Sequence, residues 1–375
     1  MESIRVLQIS YDMNLGGAET LMMNIYRNID RTKIQFDFLL HSPDESVYDR
    51  EILSLGGRIY RLPRYMGYNK IGYDRDLRRF LSEHREYTII HDHLMDSAAE
   101  TLRIANEMGR ITVAHSHASG MPFSAGELVR RWFRKDLWKT ADYRFACSGD
   151  AGKWLYRGKA GFEILNNGID TNAFRFRSET RAAVRKELGI GESTRLIGTV
   201  GRLEPQKNQQ RLLEIFPEIL EREPDSRLIL VGSGSLESEI KTRINNLGLS
   251  DKVILTGPRK DVNELLSGFD VFALTSFSEG LGIVLVEAQA SGLTCVFTDT
   301  LPSDVDLVPQ LVRRVSLADG NGLWADRILE KSDPGILRED CWKKVAAEGY
   351  DIRESARKLQ DFYLNATKPQ SGDRK

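Results

Sequence analysis

Short apolar, strand-like runs alternate with longer amphipathic stretches along this chain, and the whole alternation occurs twice. In the first half the runs fall at 4–10, 35–40, 58–62 and 87–91, with helical periodicity at 18–28, 48–55 and 74–84 between them. Further strands are predicted at 111–115, 143–147 and 162–165. Parallel strands need a long crossover, so a strand–helix alternation specifies a parallel sheet with helices on both faces. After a polar, charged stretch around 175–190 the pattern restarts, with strands predicted at 196–200, 227–231, 253–256, 271–275 and 294–298 and helices at 206–222, 235–247, 261–268 and 325–347. The fold class is α/β, as two Rossmann-like, doubly wound domains in series. We place them at 1–172 and 173–350, with a helix in 351–375 crossing back to the first domain before a disordered tail from Lys368. A chain of 375 residues is too long for one ordinary core. A cleft between the two domains is the expected ligand site.

Composition removes several classes of function. The formal net charge of −1 lacks the positive balance of a nucleic-acid-binding chain. Cys147, Cys295 and Cys341 are odd in number, far apart and without metal-ligand spacing, so neither a disulfide framework nor a zinc site is expected and a reducing cytoplasm is the simplest setting. The strand-like Ile4–Ile9 follows Met1 at once, leaving no signal-peptide pattern, and no run of about 18 apolar residues signals a membrane span.

The segment Ser276 to Gly292, SFSEGLGIVLVEAQASG, places Glu279 and Glu287 around a glycine-flanked turn. Ile283–Val286 reads as a buried strand by composition, yet Glu287–Ala290 continues as helix, and periodicity leaves both readings open. As a helix, its start at Gly280-Leu281-Gly282 would point free N–H groups at an anion. With Glu287 two turns into such a helix, the acids would lie about 12 Å apart along the axis. That spacing suits one carboxylate on a sugar and one on a ribose, with backbone N–H groups near a diphosphate between them.

The same segment resembles the E-x7-E region of the retaining GT-B glycosyltransferases of family four. Gly16-Gly17-Ala18-Glu19 resembles that family's N-terminal glycine loop, and Asn167-Gly168-Ile169-Asp170 with Phe174 resembles its entry to the second domain. Gly201-Arg202 with Lys207-Asn208 resembles its basic donor-phosphate pair, and Gly232-Ser233-Gly234 its GxG loop. The likeness spans nearly the whole chain in the right order and is strongest to transferases of bacterial exopolysaccharide and capsule clusters. It implies two Rossmann-like domains facing across a cleft. It also implies a donor site of Gly16, Gly17, Gly201, Arg202, Lys207, Gly232, Glu279, Gly280, Leu281, Gly282 and Glu287, with His117, Glu279, Arg202 and Lys207 as the catalytic candidates. Physically, an Arg can grip diphosphate oxygens in a fork while a nearby Lys adds a compact charge.

Four of the six histidines form two HxH pairs, His91/His93 and His115/His117. In an extended segment i and i+2 share a face, but no third and fourth ligand is evident from spacing, so no metal is expected there. The resemblance places His117 beside the reacting sugar, with His115 as its competitor because the extra histidine blurs the register. Two DxD patterns, Asp74-Arg75-Asp76 and Asp304-Val305-Asp306, do not directly follow strands as a metal-binding DxD requires. The family generally binds donor phosphates without an essential metal, so neither metal nor cofactor is expected. Residues 130–139, RRWFRKDLWK, interleave cations and aromatics at helical spacing and suit an anionic leaflet, as does the resemblance to enzymes with lipid-linked acceptors.

Together these features imply a cytoplasmic, peripherally membrane-bound transferase moving a hexosyl residue from a UDP-sugar to a lipid-linked glycan with retention. Two rivals are kept: a sugar-nucleotide epimerase of the same fold, and a noncatalytic partner in a polysaccharide assembly complex.

Overall fold

The computed structural model describes residues 3–118, 131–333 and 335–367. They fall into two compact units, one of Met1–Gly168 with Ile352–Lys375 and one of Ile169–Asp351. The first unit therefore ends just before the boundary read after residue 172, and the last helix, Ile352–Ala366, completes the first unit's core. The tail beyond residue 367 lies outside the described residues.

The first unit holds a seven-stranded parallel sheet in the order β3-β2-β1-β4-β5-β6-β7. These strands are Ile4–Ser10, Ile34–Leu40, Ile59–Arg61, Ile89–Asp92, Ile111–Ser116, Tyr143–Ala146 and Glu163–Ile164 for β1 to β7. Strand β2 is buried along its whole length, as a strand covered on both faces should be. On one face Val6, Phe36, Phe38 and Phe145 pack with Leu21, Ile25, Leu359 and Tyr363; on the other Leu7, Ile9 and Ile90 pack with Leu77, Leu102 and Leu155. Strand order reverses beside β1, the switch point at which doubly wound sheets place ligands beyond their carboxyl ends.

The second unit repeats the plan with six parallel strands in the order β10-β9-β8-β11-β12-β13. They are Arg195–Val200, Ser226–Val231, Val253–Gly257, Val271–Leu274, Thr294–Thr298 and Val312–Val315 for β8 to β13. Several expectations are corrected. The stretch 206–222 divides into a 3-10 turn, Pro205–Lys207, and the helix Gln209–Arg222, separated by Asn208 in the left-handed region at φ 51°. The predicted helix 325–347 is two helices, Asn321–Leu329 and Cys341–Val345, consistent with the breakers Asp333-Pro334-Gly335 in the sequence. Ile283–Ala290 is helical and buries Val284, Leu285, Val286, Ala288 and Gln289, so it lacks the polar stripe that would have marked it as amphipathic. No described helix is long and apolar enough to cross a membrane.

Candidate active site

In the second unit the chain leaves β8 at Gly201 and turns over Arg202 to Glu204 into the Pro205–Lys207 turn. Left-handed Asn208 joins this turn to the helix Gln209–Arg222, and Lys207 meets the loop that follows β11. That loop is clamped. Phe277 N donates to Gln206 O at 2.9 Å, Gln206 Nε2 to Ser278 O at 2.8 Å, Asn208 Nδ2 to Thr275 O at 3.1 Å and Thr275 Oγ1 to Asn208 O at 2.8 Å.

Across this clamp the Lys207 ammonium donates to both oxygens of Glu279, at 2.7 and 2.8 Å, and Ser276 Oγ donates to Glu279 Oε1 at 2.6 Å. Both side chains are largely buried, with 17% and 9% exposed, which strengthens the pair relative to one in open water. An ammonium has three donors, so one remains beyond the two spent on Glu279. The Arg202 guanidinium is exposed and makes no hydrogen bond among the described residues. Its charge contributes to holding the Glu204 carboxyl below its ordinary range, after the two hydrogen bonds from Ser235.

Beyond Glu279, Gly282 is left-handed at φ 79° and the helix Ile283–Ala290 begins. Leu285 N donates to the N-cap carbonyl of Gly282 at 2.8 Å, which leaves the Ile283 and Val284 N–H groups of the first turn without an intrahelical acceptor. Glu287 lies just over one turn into this helix, not two. Its carboxyl makes no hydrogen bond or ion pair among the described residues, and desolvation pushes it up to about 8. A carboxyl so placed gains from any ligand that brings hydroxyl donors. The sign follows: between the ordinary value of about 4.5 and 8, the folded state holds a proton that the unfolded state releases. The second unit is thus expected to lose stability as pH rises through that window, by at most about 1.4 kcal/mol per pH unit from this group. Glu287→Gln should flatten the slope in denaturant unfolding followed at pH 5 to 8; an unchanged slope would contradict the assignment.

Gly232 belongs to the site's frame. Gly201 N donates to Val231 O at 2.9 Å, Leu203 N to Ser233 O at 2.9 Å and Leu236 N to Leu203 O at 3.0 Å, so the Gly232-Ser233-Gly234 loop braces the one carrying Arg202.

In the first unit Gly16 caps the helix Gly17–Asn28, and the Glu19 carboxyl folds back over it with its pKa raised by burial. Nothing lies within 4 Å of a Cβ built on Gly17. His117 follows β5 half-buried, with Nε2 2.8 Å from His93 Nδ1; desolvation lowers its pKa to about 4, so it is a neutral imidazole near pH 7. His115 is fully buried within the sheet layer, which leaves His117 the more accessible of the two.

Two family models match the chain. Residues 15–173 match the model described as Glycosyltransferase Family 4, and residues 180–328 that described as Glycosyl transferases group 1. EpsF of Bacillus subtilis (strain 168), provisionally named a glycosyltransferase, is 33% identical over 374 residues, with 97% of each chain covered. The chain belongs to the family-four GT-B glycosyltransferases. An Escherichia coli enzyme named UDP-Gal:alpha-D-GlcNAc-diphosphoundecaprenol alpha-1,3-galactosyltransferase is 25% identical over 301 residues, covering 76% of this chain and 77% of its own. Among solved structures, Anabaena HepE in complex with UDP matches at TM-score 0.78 and 19% identity, covering 96% of this chain and 100% of its own. Sucrose-phosphate synthase of Thermosynechococcus elongatus matches at 0.72 and 17%, covering 96% and 98%. At those identities the likeness establishes the fold.

An open cavity of about 340 Å³, lined among others by Thr194, Arg195, Asp270 and Arg338, lies at the opposite, amino-terminal end of the second sheet. Its Arg195 and Asp270 are committed to Glu223 and to Arg181 and Arg185. Both DxD patterns serve ion pairs: Asp74 meets Arg103 and Lys70, Asp76 meets Arg75, and Asp306 meets Arg314. The aromatic–basic stretch is no continuous helix. Only Leu137–Thr140 and residues 131–133 are helical, and Arg130 lies outside the described residues. Arg134 is buried against Asp96 and Trp154, whereas Trp132, Lys135 and Lys139 are exposed. Sequence spacing missed Ser276, Gln206 and Thr275, since polar loop residues carry no signal until a partner is known.

Proposed function

We propose that this transferase moves a hexosyl residue from a UDP-sugar to a lipid-linked, growing glycan in exopolysaccharide or capsule biosynthesis, with retention of configuration and on the cytoplasmic side of the membrane. The observation that carries the reading is the Lys207–Glu279 clamp beside the start of helix Ile283–Ala290, with unpartnered Arg202 and Glu287 on its flanks. Supporting it, HepE was solved with UDP and with UDP-glucose, and the E. coli relative is named for a UDP-galactose donor and a diphosphoundecaprenol-linked acceptor.

In this reading Arg202, the third N–H of Lys207 and the helix N-terminus neutralise the departing diphosphate, so that no metal is needed there. Glu279, held through both oxygens, orients the sugar hydroxyls. A carboxylate so committed is a poor nucleophile, which favours front-face transfer. The anomeric C–O bond to the diphosphate breaks through an oxocarbenium-like state, the acceptor oxygen bonds on the same face, and its proton passes to the leaving phosphate oxygen. His117, neutral at working pH, hydrogen-bonds near the sugar as the family resemblance suggests, and the glycines Gly16 and Gly17 allow close ligand approach. Exposed Trp132, Lys135 and Lys139 would meet anionic headgroups.

A screen of UDP- and GDP-hexoses for binding and slow hydrolysis without added divalent metal, followed by NMR of the product anomer, tests the proposal. UDP-hexose turnover with retention is expected. Conversion of UDP-N-acetylglucosamine without any acceptor would mark an epimerase, and absence of donor binding by calorimetry a noncatalytic partner. Glu287 has its own test: UDP should bind up to about tenfold tighter than UDP lacking both ribose hydroxyls, the worth of one hydrogen bond. Glu287→Ala should erase the difference, and equal wild-type affinities would remove Glu287 from the ribose.

A further inference from the structure

The first unit gathers four histidines, of which three, His91, His93 and His115, have no part in the proposed transfer. Strands β4 and β5 pair in parallel with His91 beside Val113, and the same register carried two residues onward sets His93 beside His115. Residues 91, 93, 115 and 117 thus share one face near the carboxyl ends of adjacent strands. Gln8 of β1 pairs with His91 on that face, and Tyr363 of the last helix covers it.

The ring nitrogens are poorly satisfied. Both nitrogens of His115, Nε2 of His91 and Nδ1 of His117 are buried without a hydrogen-bond partner among the described residues. A buried ring nitrogen that nothing binds destabilises the fold. One donor nitrogen from each of His91, His93 and His115 lies within 4.8 Å of the others. Three imidazoles around a tetrahedral ion sit about 3.3 Å apart, for nitrogen–metal bonds of about 2.05 Å, so modest ring rotations close the set.

The outer nitrogens are already supported. His93 Nε2 lies 2.8 Å from Gln8 Oε1 and must be the protonated nitrogen, which leaves Nδ1 with its lone pair. His91 Nδ1 lies 2.6 Å from the Tyr363 hydroxyl, to which Gln8 Nε2 also donates at 3.2 Å. Metal binding selects the His91 tautomer in which Nδ1–H donates to Tyr363 and Nε2 is bare. A metal-ligating imidazole whose far N–H is held by an oxygen is the usual arrangement of such sites.

We propose that His91, His93 and His115 bind one borderline transition-metal ion of the Zn²⁺ class, tying β4 to β5 beneath the last helix. The ion takes the His93 lone pair that now receives the His117 Nε2–H at 2.8 Å. Imidazole-only donors favour this class over Mg²⁺ or Ca²⁺, which prefer oxygen.

The full-length chain, stripped with chelator and free of any affinity tag, would be titrated with Co²⁺ as a spectroscopic probe and then with Zn²⁺. One equivalent of Co²⁺ with intense tetrahedral d–d bands, displaced by Zn²⁺, is expected, with a rise in Tm on metal addition. His115→Gln should abolish the bands, His84→Gln should keep them, and Tyr363→Phe, which leaves the imidazoles in place, should weaken binding about tenfold to a hundredfold. No stoichiometric uptake by the wild-type chain, or uptake unchanged in His115→Gln, would overturn the proposal. Either failure leaves the donor-site reading untouched, because UDP-sugar binding is measured separately.

Discussion

Lys207→Met is expected to lower kcat/KM for hexosyl transfer by about 10³-fold, which is about 4 kcal/mol of lost transition-state stabilisation. The ammonium fixes Glu279 through both carboxylate oxygens, and in the proposed reaction its remaining N–H meets the departing diphosphate. Glu279→Gln should cost a similar factor. Because the two side chains act as one unit, the double variant should cost little more than either alone, a strongly non-additive cycle. Initial rates with a UDP-hexose donor, together with circular dichroism showing retained folding, check this. Wild-type turnover in both single variants would sink the assignment.

Gly232→Ala is expected to destabilise the second unit by about 3 kcal/mol or more, a fall in Tm of roughly 6–12 °C for a unit of this size. Gly232 adopts φ 138°, and a Cβ there would stand 2.0 Å from the carbonyl oxygen of Gly201, backbone that cannot swing aside. Relief requires displacing the loop that carries Arg202 and Lys207, so donor affinity should fall with stability. Gly17→Ala supplies the contrast. Its Cβ meets nothing within 4 Å at the first residue of a helix, so stability should hold or rise by about 0.5–1 kcal/mol. Lost activity in a stable Gly17→Ala protein would indicate a glycine reserved for ligand approach. Native-like unfolding of Gly232→Ala would contradict the geometry.

The contrast between these glycines illustrates what could be read in advance. Both stand in motifs that the sequence marks equally, yet one is required by backbone packing and the other is open to a ligand. Strand and helix order was legible because parallel α/β units write their burial into apolar runs. The edge strand Val312–Val315 escaped notice since Arg313 and Arg314 fill half of it, and the helix Ser178–Glu187 read only as a polar, charged stretch because just Val184 and Arg185 are buried. At the site, Glu279 and Glu287 stood out within one segment. The bond between Lys207 and Glu279 joins residues 72 positions apart, and no local spacing can announce it. The third imidazole beside His91 and His93 was hidden for the same reason: it follows from the register of two strands.

The path of the chain through the two units has a consequence for biosynthesis. A ribosome releases residues 169–351 before it makes the helix Ile352–Ala366, whose Leu359 and Tyr363 fill the first unit's core. The unit begun first must therefore wait, with an apolar face uncovered, until synthesis is nearly complete, while the inserted unit can close on its own. A stop codon shortly before residue 352 would spare the second unit and strand the first as a target for chaperones and proteases.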